Sequence, residues 1–169
     1  TALLLSEDTF RIFYNSRDAK NRSSVSYFDF DLGNEILTYD HPEAIVSYGA
    51  SDTYYSHGVS LGSLFQEDGK TRLFFMGWQI RGKDHWRGDI GSIELQNKGE
   101  SSAVDVSPFL ECDGKIDPIS LSYPWIIKEE DKYRMWYGST LNWTSENGEM
   151  LHVIQYAESN DGVNWNRLG

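Results

Sequence analysis

Polar and apolar positions alternate over short stretches of this chain and never settle into a helical stripe. "RIFYN" from Arg11, "RLFFMGW" from Arg72 and "RMWYGS" from Arg134 are dense in strand-forming residues, and no window keeps apolar residues at i, i+3, i+4 and i+7 over three turns. They predict strands near residues 10–15, 71–78 and 133–139 and no long helix. Each is preceded by an apolar strand and an acidic turn, so that "LLLSEDTFRIFY", "SLFQEDGKTRLFF" and "WIIKEEDKYRMWY" align on Arg11, Arg72 and Arg134, which are 61 and 62 residues apart. That is a blade-sized period. A third strand is expected from near Val25, Ile90 and Val153, and a fourth at "EILTY", "SAVDVS" and "NWNRL". The repeated unit is a four-stranded antiparallel meander. About three of them, at roughly 1–40, 56–107 and 120–169, make one all-β domain, a partial β-propeller. "HPEAIVSYGASDTYYSHG" and "SPFLECDGKIDPISLSYP" carry the Gly, Pro, Ser and Asp of connections between blades.

Meander geometry then sorts the loops. Tight turns at Glu67 to Lys70, Glu129 to Lys132 and Asn160 to Gly162 fall on one face of the disc. The long second-to-third-strand loops, "SRDAKNRS", "WQIRGKDHWRGD" and "LNWTSENGEMLH", fall on the other, where the inner strands begin. Long loops on a rigid scaffold are where sites are commonly built. That face gathers Arg17, Asp18, Arg22, Trp78, Arg81, His85, Trp86, Arg87, Trp143 and His152, with His57 and Tyr123 at the inner-strand starts. Indole rings stack on the apolar faces of sugars, while Arg and Asp hydrogen-bond hydroxyl or carboxylate groups, so the mixture suits a carbohydrate partner. Arg17, Arg22, Trp78, Arg87, Tyr123, Trp143 and His152 are the candidate substrate-binding residues.

Composition narrows the partners. The 169 residues carry 14% aromatics and a formal charge of −11, which argues against nucleic acid or anionic lipid, since both need a Lys/Arg surface. The single cysteine, Cys112, excludes an intrachain disulfide, its acidic neighbours disfavour a thiolate, and no Cys/His pairs have zinc-site spacing. No metal or other cofactor is therefore expected. "TALLLS" is too short for a signal-peptide core, which leaves the compartment open with a lean to the cytoplasm, and its abrupt apolar start suggests upstream residues. "SNDGVNW" is one residue shorter than a propeller Asp-box, and a hairpin turn accounts for it. Asn21-Arg22-Ser23 and Asn142-Trp143-Thr144 fit the glycosylation acceptor pattern, which carries weight only in a secreted protein.

Taken in order, "RIFYNSRDAKNRSSVSYFDFD", "HGVSLGSLF", "LFFMGW", "DPISLSYPWII", "YRMWYGS" and "MLHVIQYAESNDGVNWNR" resemble an uncharacterised bacterial branch of the five-bladed propellers that include glycoside hydrolase families 32, 43, 68, 117 and 130. The resemblance covers nearly the whole chain. It implies a complete propeller of about 300 residues at this period, of which about three blades are here. It also implies three carboxylates on inner-strand starts. The first position would precede Thr1; the second is occupied by Ser56 and His57 in "YYSHGVS", and the third by Tyr123 in "LSYPWII". A glycosidase places two carboxyl groups about 5 Å or about 6.5–9.5 Å apart across the scissile bond. With those positions lost, His57 is the candidate proton donor, as the resemblance to family 117 implies, and Asp18 or Asp117 the candidate base. Asp117-Pro118 also reads as a turn former, and Glu158 as a structural residue on the turn side.

Two functions are thus expected to compete: a hydrolase-like carbohydrate-active enzyme, and a glycan-binding or assembly module that has lost its carboxylates. About three blades also leave two apolar flanks open, which predicts a fragment of a longer chain or a homo-oligomer.

Overall fold

The computed structural model describes residues 1–81, 85–96, 100–101, 104–105, 107–143 and 149–169. Three four-stranded meanders follow one another. The first is β1 (Ala2–Leu4), β2 (Thr9–Arg17), β3 (Ser23–Asp31) and β4 (Ile36–Asp40); the second is β5 (Gly58–Glu67), β6 (Lys70–Ile80), β7 (Trp86–Gln96) and β8 (Glu100–Ser101). The third is β9 (Ser120–Glu129), β10 (Lys132–Asn142), β11 (Leu151–Ser159) and β12 (Asn166–Arg167). Neighbours within each meander are antiparallel, and a single parallel pairing of Ser23 with Gly58 joins the first two into one sheet. The chain is all-β, and the strands expected around Arg11, Arg72 and Arg134 are β2, β6 and β10. The fourth strand expected at "SAVDVS" lies partly outside the described residues. Its described residues, Val104, Asp105 and Ser107, are not strand; the described fourth strand is the short β8 just before them, and Ile90 of β7 bridges to Leu110 further along.

Local chemistry accounts for the meanders. Asp68 and Gly69 both have positive φ, 49° and 76°, as a two-residue type I′ hairpin requires, and Glu130 at 54° serves the corresponding turn of the third blade. The turn after β11 is built by one carboxylate: Asp161 accepts from the Val163 and Asn164 amides, the Asn164 side chain and the Ser159 hydroxyl, at 2.7–2.9 Å. Those bonds, that of the Asn164 amide foremost, hold its pKa below the ordinary carboxylate value. A depressed folded-state pKa contributes stability above the unfolded value of about 3.9 and loses it as pH falls further. Thermal midpoints measured from pH 7 to 2 are expected to fall less steeply below about pH 4 in Asp161→Asn than in the wild type. Parallel curves would remove this role.

The continuous apolar run of β6 is explained by packing on both sides. Leu73 and Phe75 enter a core with Phe13, Val25, Tyr27 and Val59 between the first and second blades. Phe74 points the other way, into a core with Leu121, Ile126, Met135 and Tyr137 between the second and third. Successive residues of a strand face opposite sides of the sheet, so a strand in a middle blade is apolar at every position. The blades also touch by backbone. The Gly88 amide donates to Ser120 Oγ at 2.8 Å, and a Cβ on Gly88 would lie 2.3 Å from the Leu121 carbonyl oxygen. At the other junction Gly58, with φ of 134°, presses against the Ser23 backbone. The outward faces of the end blades are open. Trp125, Trp136 and Ile154 are exposed on the third, and Leu4 and Leu37 on the first.

Candidate functional site

The ends of β2, β6 and β10 and the starts of β3, β5, β7, β9 and β11 all lie at one end of the sheets. Between them lies a cavity of about 600 Å³ with walls from all three blades: Arg17 and Asn21 from the first, Met76, Trp78, Ile80 and Trp86 from the second, and Ser122, Tyr123, Met150 and His152 from the third. A neighbouring cavity of about 430 Å³ is lined by Arg81, His85, Arg87, Pro118, Ile119 and Trp143, with Trp86 in the wall of both. Four of the expected binding residues (Arg17, Trp78, Tyr123 and His152) therefore meet in one cavity, and Arg87 and Trp143 line the other. Asp18, Arg22 and His57 are in neither lining.

The aromatic residues do different work from one another. Trp78 is only 7% exposed and spends its indole N–H on Ser23 Oγ at 2.7 Å, so it is a wall that ties the first two blades together. Trp143 has its face stacked on His85 at 4.3 Å and Trp86 edge-on at 5.6 Å. Tyr123 is 62% exposed and has φ of 46°, within β9 next to the register irregularity opposite Trp136 and Gly138. A bulky residue in left-handed backbone is strained, and such strain persists where the surrounding structure enforces it. Nothing in the sequence signals this, since Tyr has no preference for that region.

The polar groups divide into committed and available. Asp18 accepts the Lys20 and Arg22 amides and is ion-paired to the Arg22 guanidinium at 2.7 Å, contacts that depress its pKa and close its own loop. Arg22 in turn lies over the Tyr48 ring at 3.6 Å. Arg87 makes a two-pronged pair with the buried Asp89, at 2.9 Å on each side. Asp117 is fully buried and bonded to Tyr137 and Arg167, and Glu158 is taken up by Tyr156 and Lys132. Burial and then the Asp89 charge push the Cys112 thiol up to about 12, which keeps it protonated. His152 holds Ser122 Oγ at Nε2, 3.0 Å, and Thr140 Oγ1 at Nδ1, 2.9 Å, and desolvation lowers its pKa, favouring the neutral ring. His57 sits behind Trp78, its ring 5.5 Å from the indole, with Nδ1 facing the Ile80 amide at 3.3 Å. Among the described residues no carboxylate lines either cavity, and no group of three or more His, Cys, Asp or Glu side chains is arranged to hold a metal.

No protein-family model matches the sequence. It is 39% identical over 163 residues to an uncharacterised protein found in two strains of Mycobacterium tuberculosis; the match takes in 95% of this chain and 54% of the relative's length. The chain thus spans about half of the relative it matches. Among solved structures it superposes on sucrose-6-phosphate hydrolase from Lactobacillus gasseri with a TM-score of 0.72 and 15% identity, over 95% of this chain and 31% of that one. A family 32 β-fructofuranosidase of Bombyx mori gives 0.69 at 14%, over 98% and 33% of the two chains. A thermostable family-43 glycoside hydrolase gives 0.62 at 15%, over 98% and 52%. At these identities the likeness is one of fold: the chain has the blades of the five-bladed glycosidase-type β-propeller.

Proposed function

We propose that this chain recognises a glycan in the cavity where its three blades meet. The observation that carries the reading is Tyr123, whose ring is exposed at the cavity wall on strained backbone. An aromatic held out of an otherwise regular strand costs stability, which points to use. Trp86, shared by both cavities, supplies a second ring, and the exposed Asn21 supplies an amide group suited to sugar hydroxyls. The solved neighbours named above, glycoside hydrolases and a sucrose-6-phosphate hydrolase, support a carbohydrate ligand on this scaffold.

Recognition is favoured over hydrolysis because the described lining offers no pair of carboxyl groups and Asp18 is committed to Arg22. One observation supports hydrolysis as the second reading. Nδ1 of His57 accepts the Ile80 N–H, which leaves Nε2 as the ring's N–H donor, although His57 stands behind Trp78 and outside both cavity linings.

Titration with a sugar panel, followed by tryptophan fluorescence, tests the proposal. Trp86→Ala is expected to weaken binding about three- to tenfold, in line with an aromatic contact of about 0.5–1.5 kcal/mol. Tyr123→Gly is expected to weaken it similarly while leaving the protein as stable or slightly more so. Relief of left-handed strain gains about 1–2 kcal/mol, and the added freedom of glycine when unfolded costs about 0.5–1 kcal/mol. Binding unchanged in both variants would overturn the site. Release of reducing sugar that vanishes in His57→Ala would establish hydrolysis instead.

A further inference from the structure

The cavity system is unlike the rest of the molecule in charge. The chain has 26 Asp and Glu against 15 Lys and Arg, and most of its arginines are neutralised: Arg11 by Asp29, Arg22 by Asp18, Arg87 by Asp89, Arg134 by Glu129, and Arg167 by Asp113 and Asp117. Among the described residues Arg17 and Arg81 have no carboxylate within ion-pair distance, whereas Arg72 acts on Glu67, and both Arg17 and Arg81 line the adjoining cavities that share Trp86. Both are exposed. Among the described residues Arg17 hydrogen-bonds only through Nη1, to the Asn21 carbonyl and side-chain oxygens at 3.1 and 3.0 Å, and its guanidinium lies 5.4 Å from the centre of the Trp78 ring. Among the described residues Arg81 uses only Nε, on Gln79 Oε1 at 3.0 Å. Each guanidinium is thus steadied by a neutral oxygen and keeps further N–H groups for a ligand. In a protein with so large a surplus of carboxylates, two exposed guanidiniums with no carboxylate partner among the described residues make this aromatic-walled cavity system a local positive site.

We infer that the ligand of this face is an anionic glycan, a sugar bearing a carboxylate or phosphate group that Arg17 and Arg81 grip while Trp86 and Tyr123 contact its rings. This rests on the glycan reading above and adds the charge of the ligand. A guanidinium meets either oxyanion through paired N–H···O bonds, and charge-assisted bonds are about twice as strong as neutral ones. The net negative field of the surrounding protein does not oppose this at close range, since salt screens exposed charges beyond about 8 Å.

The test is equilibrium binding of the protein to trigalacturonate, glucose 6-phosphate, maltotriose and inorganic phosphate at low and high salt. At least one of the two anionic sugars is expected to bind about tenfold or more tightly than maltotriose, with the advantage shrinking at high salt; which one does so separates carboxylate from phosphate. Arg17→Ala and Arg81→Ala are expected to abolish that advantage, while Arg72→Ala, on the turn side beside Glu67, leaves it intact. Maltotriose binding as tightly as both anionic sugars would overturn the charge inference and leave the glycan reading standing. Inorganic phosphate binding as tightly as the anionic sugars would overturn the glycan reading, and with it the ligand inferred here. An anionic advantage that survives both arginine variants would overturn the assignment of these residues.

Discussion

Phe75→Ala is expected to lower the free energy of unfolding by about 3–5 kcal/mol, a large part of the roughly 5–15 kcal/mol that holds a domain together. Phe75 is completely buried, in the core that joins the first two blades. It shares that core with Phe13, Tyr27 and Leu73, which belong to three different strands of two blades, so a cavity there cannot close by a single shift. Phe74→Ala should cost a similar amount through the other core, between the second and third blades. Urea unfolding of both variants measures this. A loss under about 1 kcal/mol for Phe75→Ala would mean that the first blade is not packed on the second as described.

Arg167→Ala should destabilise by about 3–5 kcal/mol, because it strands a buried charge. Arg167 Nη1 lies 2.8 Å from Asp117 Oδ2, and its Nη2 donates to the Glu111 carbonyl at 2.6 Å, so one side chain pins β12 to the connection before β9. Asp117 is fully buried, and its Oδ1 has no hydrogen-bond partner among the described residues; without Arg167 only the Tyr137 hydroxyl, at 2.8 Å, would remain on the carboxylate. Adding Asp117→Asn removes the stranded charge and is expected to recover part of the loss. A double variant no more stable than Arg167→Ala alone would show that the loss comes from the Glu111 and Asp113 contacts rather than from the unpaired carboxylate.

The fold was largely legible in the sequence. Alternation at "RIFYN" and "RMWYGS", the acidic turns and the 61- and 62-residue spacing of Arg11, Arg72 and Arg134 place β2, β6 and β10 and the meanders around them. The site was legible only as a list of residue types on the correct face. Arg17, Trp78, Tyr123 and His152 do converge, but Trp78 turns inward to Ser23, and Asp18, Arg22 and His57 stand outside both cavity linings. Trp86 stood in the sequence as one aromatic among several, and only the convergence of the blades makes it the residue common to both cavities.

The division has a physical basis. Strand periodicity and turn chemistry are settled by residues within a few positions of one another, so the sequence by itself determined an all-β chain, its three meanders and the end at which the long loops emerge. The fate of a polar or aromatic side chain depends on groups far away along the chain. Ser23 binds the Trp78 indole from 55 residues off, and Arg167 reaches Asp117 across 50. Packing of the third blade against the second puts Tyr123 of β9 into the cavity wall, on left-handed backbone that its residue type does not favour. Which arginines line the cavities was decided only when the blades packed.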